Sequence, residues 1–193
     1  MSAAVERTGQ DALERLRTLL RSEGGLMATL LEPEAESGRE SESSAATESP
    51  VSPARIAANG PRAAGRREEY ELLVEAIYEG YLLHYGAPRV VQVPEADLKL
   101  LASDRLYAIG LARLVELGDT LAVAELADTI TLSALAQGSG SQTLADAVWD
   151  AGARAVGWGT SDAHRHAKDL VLAGAPDAIE AMRTSAAAAA AAP

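Results

Sequence analysis

Few side chains in this sequence are of the types that carry out metal or acid–base chemistry. The 193 residues include three histidines and no cysteine, which excludes disulfides, thiolate zinc sites and a cysteine nucleophile. His84 lies on the apolar side of a predicted helix with no carboxylate one turn away, so we interpret it as a core histidine. His164 and His166 are close on another predicted helix but point roughly 200° apart, so they cannot share one metal ion. The sequence therefore predicts no metal site and no cofactor.

Asp104 is the carboxylate with the most unusual predicted surroundings. It falls in the middle of an apolar arc on a helix that begins near Leu98, and an ionised carboxylate is costly there unless it is paired or hydrogen-bonded. Two interpretations are open: a buried carboxylate that ties two helices together, or a group that faces a ligand. Tyrosine hydroxyls on a neighbouring helix are candidate partners for it.

Most of the tyrosines lie on one predicted helix, from about Glu68 to Tyr85. The helix has an apolar face that includes Tyr70 and Ile77, and three of its glutamates are expected to point away from the core. These glutamates are Glu71, Glu75 and Glu79. Eight aromatic, charged or imidazole side chains on this helix and its predicted neighbours are the candidates for binding or for an interface. They are Tyr78, Tyr81, His84, Tyr85, Arg89, Asp104, Tyr107 and Trp149.

The stretch from Leu98 to Gln137 predicts two helices joined by a short turn at Gly118-Asp119. Gly118 suits the left-handed conformation after a helix end, and Asp119 can cap the next helix. The apolar arc of the first helix, from Leu100 to Ala112, is expected to face protein, and both helices are expected to be covered on two sides. The first helix is therefore predicted to lie at the centre of the fold.

The sequence predicts an all-α fold, a compact helical bundle preceded by an amphipathic helix and a long disordered linker. Residues 1–31 are the amphipathic helical segment, and 32–65 the acidic linker rich in Ser, Pro, Glu and Ala. Residues 66–184 are the helical domain, and 185–193 an Ala-rich tail that is expected to fray. The apolar side of the first segment is either packed on the domain or free to bind another chain. Its leucines are Leu13, Leu16, Leu19 and Leu20.

Composition and charge narrow the classes of function. The net charge of −11 disfavours nucleic acid as a partner, because an acidic surface repels phosphate. No apolar run approaches the ~20 residues that a membrane span needs, and Met1 to Gln10 lack the pattern of a secretory signal. A cytoplasmic location is the expectation. Glycine-rich phosphate loops, nucleophile elbows and paired-histidine helices are also missing from the sequence.

Three segments resemble the trans-polyprenyl diphosphate synthase family in their order. They are Tyr85-Gly86-Ala87-Pro88-Arg89-Val90-Val91, Leu100-Leu101-Ala102-Ser103-Asp104-Arg105-Leu106-Tyr107-Ala108 and Leu117-Gly118-Asp119. Members of that all-α family carry an Arg-Gly-x-Pro-Thr segment, an Ala-x-Leu-x-Gly-Asp-x-Leu helix and a later Gly-Asp. By this resemblance Asp104 matches the aspartate of the Gly-Asp pair, with Ser103 in place of its glycine.

The resemblance implies an all-α subunit but not an active enzyme. The family couples isopentenyl diphosphate to an allylic diphosphate with magnesium held by two aspartate-rich motifs. The segment from Tyr78 to His84, where the first motif is expected, has no such carboxylates, and the second motif is also missing. Ionising an allylic diphosphate needs several Mg²⁺ ions on convergent carboxylates. The family also contains heteromeric synthases in which a small, catalytically incomplete subunit supports a catalytic one.

The sequence therefore predicts a non-catalytic accessory subunit that stabilises or tunes a catalytic partner in isoprenoid (quinone side-chain) synthesis. It is expected to pair through the Leu100-to-Ala112 arc or the tyrosine face, with a hydrophobic isoprenoid chain as a further ligand. The alternative is a helical adaptor whose N-terminal helix and linker recruit a second protein. A third hypothesis is a stand-alone enzyme that uses His84, Asp104 and tyrosines. An exposed apolar face predicts hetero- or homo-oligomers without naming the partner.

Overall fold

The structure is a computed structural model that describes residues 2–31, 51–93 and 95–190. The described residues are almost entirely helical, which confirms the all-α fold, and their one β contact is an isolated antiparallel bridge between Leu31 and Val91. The elements in chain order are α1 (Ser2–Glu23), α2 (Gly25–Thr29), α3 (Pro53–Asn59), a 3-10 turn (Pro61–Ala63), α4 (Arg67–Tyr85), α5 (Ala96–Glu116), α6 (Thr120–Gly138), α7 (Gln142–Trp158), α8 (Asp162–Leu172) and α9 (Ala178–Ala190).

Helices α4 and α7 are the most enclosed of the described fold, and the prediction that α5 is the central helix is wrong. Helices α1, α3 and α5 all pack on α4, and its apolar residues Leu73, Val74 and Ile77 are buried. The helix is enclosed on almost every side, because its glutamates are buried as well. The expectation that Glu71, Glu75 and Glu79 point to solvent is therefore also wrong.

The turn predicted at Gly118-Asp119 is confirmed, and it joins α5 to α6. Gly118 has a φ of 76°, the left-handed region where glycine has no steric cost. Asp119 caps α6, because its carboxylate accepts the N–H of Ala122 at 3.0 Å. Each of the two helices nevertheless has one exposed side. Leu121 and Leu135 of α6 are exposed, which contradicts the prediction that both helices are covered on two sides.

The predicted disordered linker does not extend to residue 65. Residues 51–65 include α3, which Ser52 caps and Pro53 begins, and the 3-10 turn that follows it. Ala54, Ala57 and Ala58 are buried in the main core. Residues 32–50 of the predicted linker lie outside the described part of the chain.

Small residues explain how a segment with few large apolar side chains packs into the core. Helix α3 lies against α7 with backbone almost touching backbone. A Cβ atom on Gly60 would lie 2.2 Å from the carbonyl of Gly157, so only glycine fits there. Composition counts large apolar residues and therefore misses this kind of contact, in which close approach replaces side-chain size.

The C-terminal segment also folds further than its composition predicts. Helix α9 continues to Ala190 and packs on α7 and α8, so the prediction that residues 185–193 fray is wrong for 185–189. Ser185 and Ala186 are buried in the cluster formed by α6, α7, α8 and α9. Residues 191–193 lie outside the described part of the chain. Among the described helices, none combines the length and the apolar character that crossing a membrane requires.

Candidate functional site

An unpartnered apolar surface runs along the outer side of α5, which we call the α5 outer face. It faces away from α4, and three of its large side chains keep about half of their surface exposed: Leu100 (51%), Leu101 (57%) and Val115 (55%). Ala108 and Ala112 lie between them and are also exposed. The domain itself therefore does not cover these residues, and the prediction that the arc faces protein requires a partner. The exposure of the arc is the property that an interaction surface needs.

The inner side of α5 combines small residues with large apolar ones. Ser103 is buried and donates a hydrogen bond to the Gly80 carbonyl of α4 at 2.9 Å. A Cβ atom on Gly110 would lie 2.4 Å from a side-chain carbon of Ile77. These small residues let the two helices approach closely, and Leu106 and Leu114 fill the rest of the contact. The choice of side depends on shape complementarity with α4 and not on the number of leucines.

The α5 outer face carries acidic side chains without a neighbouring cation. Asp97 and Asp104 are exposed on it, and no cationic side chain in residues 2–31, 51–93 or 95–190 is recorded within ion-pair distance of either. The arginines of α5 are engaged elsewhere. Arg105 and Arg113 both bind Glu23 of α1, at 2.7 and 3.1 Å. The prediction that Asp104 is a buried carboxylate is wrong, because the arc around it is exposed.

Seven of the eight candidate residues do come together, in a chain of ring contacts. The rings of Tyr78 and Tyr81 each contact Trp149, at centroid distances of 4.9 and 5.2 Å. Tyr81 also contacts Tyr85, which contacts His84, which in turn lies 6.2 Å from Tyr107. The Arg89 guanidinium lies 5.3 Å from the Tyr78 ring, a cation–π distance. Asp104 is the candidate outside this cluster.

The Tyr81 hydroxyl, a candidate partner for Asp104, has a different partner. The Tyr81 hydroxyl accepts a hydrogen bond from Gln137 at 2.7 Å. Burial raises the pKa of Tyr78, and it raises the pKa of Tyr107 further although Ser103 acts against it. Both phenols are therefore neutral near pH 7. With Tyr81 and Trp149 buried and Tyr85 42% exposed, the cluster has an inner structural part and an edge that reaches the surface near α5.

Arg89 belongs to a buried ionic network that sequence reasoning missed. The Glu79 carboxylate is completely buried and accepts the backbone N–H groups of Arg89 and Val90 at 2.6 and 2.7 Å. The Arg89 side chain binds both Glu79 and Glu75, and Ser52 donates to Glu75 at 3.0 Å. The network fixes the loop after α4 and contacts α3. Its role is structural, because the carboxylates already have donors and little access to solvent.

A second buried network joins α6, α8 and α9. His164 lies between Glu125, at 2.7 Å, and the Ser185 hydroxyl, at 3.2 Å. The order carboxylate, imidazole and hydroxyl is that of an activated serine nucleophile. Ser185 is however only 2% exposed and donates to the Met182 carbonyl at 2.8 Å, so a substrate cannot reach it in this conformation. The side chains of His164 and Ser185 therefore tie the helices together, and His166 is exposed on the other side of α8.

Asp119 connects the α5–α6 turn to the rest of the fold. It accepts from Arg62 at 2.7 Å and from the Tyr70 hydroxyl at 2.5 Å. Burial by itself raises the pKa of Asp119, but the Tyr70 hydroxyl, the Ala122 N–H and Arg62 together hold it below its usual value. Burial and the Asp119 carboxylate raise the pKa of Tyr70 to about 12.

We expect Asp119→Asn to destabilise the fold at neutral pH and much less at low pH. The pKa of the Asp119 carboxylate is lower in the folded state than its value of about 3.9 in the unfolded state. The carboxylate therefore contributes stability above about pH 3.9, and this contribution is lost as the pH falls through the pKa of the folded state. Urea unfolding at pH 7 and pH 3 measures the free-energy difference between wild type and variant. A difference that is constant or grows at pH 3 would contradict this assignment.

The four N-terminal leucines lie against the domain. Leu16 and Leu20 are completely buried and Leu19 is nearly so, in a cluster with Leu83 and Leu106 of α4 and α5. Leu13 is partly buried beside the same cluster. In this conformation these side chains stabilise the domain and are not available to a second protein.

The described residues form an all-α helical domain that carries the exposed α5 outer face and the buried networks around Glu79 and Glu125. Within the described ranges no group of three or more histidine, aspartate or glutamate side chains is placed to hold a metal ion. No family model, curated protein or solved structure matches this chain.

Proposed function

We propose that this chain is a non-catalytic helical subunit that binds another protein through the α5 outer face. The observation that carries the proposal is the exposure of Leu100, Leu101 and Val115 on one side of one helix. Single exposed leucines are ordinary, but a stripe of them along a helix is the pattern by which helices recognise partners. Burying such a stripe releases water from apolar surface, at about 25 cal/mol per Å².

The resemblance stated above supports a specific partner, a catalytic polyprenyl diphosphate synthase of isoprenoid (quinone side-chain) synthesis. The segment that carries it, Leu100 to Ala108, is also the centre of the α5 outer face. In this proposal the chain stabilises or tunes its partner. We also predict that an isoprenoid chain contacts the exposed edge of the aromatic cluster, near Tyr85. Measuring the lengths of the partner's products with and without this chain would test that prediction.

The adaptor hypothesis lacks a comparable surface in the described part of the chain. It needs the leucines of α1 to be free for a second protein, whereas Leu16 and Leu20 are buried against α4 and α5. Removing residues 1–31 would therefore expose Leu83 and Leu106 of the domain. Loss of binding after that deletion would not distinguish a docking helix from a damaged fold.

Leu101→Glu tests the proposal, with Leu172→Glu as its matched control. Both leucines are exposed, at 57% and 61%, but Leu172 lies on α8. We expect affinity purification of the intact wild-type chain from its native cells to retain a polyprenyl synthase with prenyl-transfer activity. Leu101→Glu should lower the retained amount by about tenfold or more, because a buried charge is costly at an interface, and Leu172→Glu should not.

Two results would count against this function. One is equal retention of the partner by Leu101→Glu and the wild-type chain. The other is a set of captured proteins without a prenyl synthase, which would leave the surface in place and remove the isoprenoid assignment. Thermal unfolding of both variants checks the fold, and we expect changes within about 0.5 kcal/mol because both sites are exposed.

A further inference from the structure

The charges of the α5 outer face identify the kind of partner that fits it, and this inference rests on the function proposed above. Asp104 lies in the middle of the stripe, between Leu100 and Leu101 on one side and Ala108 and Ala112 on the other. Asp97 lies two turns before it, about 10 Å along the helix axis. A partner that covers the leucines must also remove water from the Asp104 carboxylate.

Within residues 2–31, 51–93 and 95–190, no cationic side chain pairs with Asp104, and Lys99 of α5 lies about 140° around the helix from it. Arg105 and Arg113 are the arginines of α5, and both already bind Glu23. Removing water from an unpaired carboxylate is strongly unfavourable, whereas a cation at hydrogen-bonding distance compensates much of the cost. The cation must therefore come from the partner.

A second copy of this chain that pairs through the same face is a poor occupant. It would bring the same exposed carboxylates, Asp97 and Asp104, and its arginines on this helix are engaged with Glu23 in the same way. Its net charge of −11 adds long-range repulsion. Residues 32–50 of the same chain are also unsuitable by sequence, because they are rich in glutamate and contain no large apolar residue.

We propose that the α5 outer face binds a cationic amphipathic helix of another protein. The apolar residues of that helix cover Leu100, Leu101 and Val115, and a lysine or arginine beside them pairs with Asp104. A second cation two turns along the partner helix pairs with Asp97. The leucines provide most of the affinity, and Asp104 distinguishes cationic from anionic helices.

Two designed peptides of about 18 residues test the proposal on the full-length chain. Both are helical with leucines on one face, and the residues beside that face are lysine in one peptide and glutamate in the other. Fluorescence anisotropy measures the binding of each labelled peptide. We expect the lysine peptide to bind the wild-type chain at least about tenfold more tightly than the glutamate peptide does.

Charge reversal at one position separates a specific site from general attraction to an acidic protein. Asp104→Lys should weaken the binding of the lysine peptide about tenfold and strengthen the binding of the glutamate peptide. Asp169→Lys changes the net charge equally at an exposed carboxylate of α8 and should change either affinity less than about twofold. Equal effects of the two substitutions, or equal binding of both peptides to the wild-type chain, would overturn the proposal.

The native partner then shows which of the two proposals fails. If Leu101→Glu loses the partner but Asp104→Lys keeps it, the surface is correct and the cationic helix is wrong. If both variants keep the partner, the α5 outer face is not the interface and the proposed function fails with it. Light scattering at increasing protein concentration tests whether a second copy of the chain binds this face. A dimer that Leu101→Glu abolishes would mean that a second copy, and not a cationic helix, occupies the α5 outer face.

Discussion

Replacing Glu79 by alanine should lower the free energy of unfolding by about 3–5 kcal/mol, the range for breaking a buried ion pair by removing one partner. Glu79 is completely buried, and one of its carboxylate oxygens accepts the N–H groups of Arg89 and Val90. The substitution leaves these donors without an acceptor and removes a partner of the Arg89 guanidinium. It also leaves a cavity where the carboxylate was. Urea unfolding followed by circular dichroism measures the loss.

Two further substitutions show which property of Glu79 matters. Glu79→Gln keeps an oxygen that can accept the loop N–H groups but removes the charge, so we expect a smaller loss than for alanine. Glu68→Ala changes an exposed glutamate of the same helix and should alter stability by no more than about 0.5 kcal/mol. If Glu79→Ala were as stable as Glu68→Ala, the buried network could not be what fixes the loop.

Glu125→Ala should also lower the free energy of unfolding by about 3–5 kcal/mol, because it breaks the second buried network. The Glu125 carboxylate binds the His164 ring at 2.7 Å and Lys168 at 3.1 Å, and Thr160 donates to it at 2.8 Å. Without the carboxylate, His164 stays buried beside Ser185 with one ring nitrogen unpaired. We expect α8 and α9 to lose much of their attachment to α6, with a lower midpoint in urea.

Asp128→Ala is the matched control, because Asp128 also binds Lys168, at 2.7 Å, but is exposed. An exposed ion pair contributes only about 0–1 kcal/mol, so this variant should be nearly as stable as the wild-type chain. Equal losses in Asp128→Ala and Glu125→Ala would mean that the Lys168 contact, and not burial with His164, accounts for the effect.

The pH dependence gives an independent check of the Glu125 network. Burial by itself raises the pKa of Glu125, but the His164 hydrogen bond and charge, Lys168 and Thr160 outweigh it and hold the pKa below its usual value. The stability contributed by ionised Glu125 is present above its unfolded pKa of about 4.3 and is lost as the pH falls through the folded value. The difference between wild type and Glu125→Ala should therefore shrink between pH 5 and pH 3.

The sequence determined the helices and several of their ends. Periodicity predicted α4, α5, α6 and α7, because the spacing of apolar residues follows the geometry of the helix itself. Local chemistry predicted the turn at Gly118 and the cap at Asp119, since both involve residues only a few positions apart. Seven of the eight candidate residues also meet, because most lie on one helix or next to it.

Which side of each helix faces inward depends on contacts between segments that are distant in the chain. Both sides of α5 hold large apolar residues, and the side with Ser103 and Gly110 faces α4 because their small size allows close contact. Glu75 and Glu79 are buried because the surrounding segments close over that side of α4 and Arg89 neutralises them. These outcomes depend on partners far away in the chain, which a local pattern does not contain. The exposed face on which the proposed function depends is a consequence of the same packing.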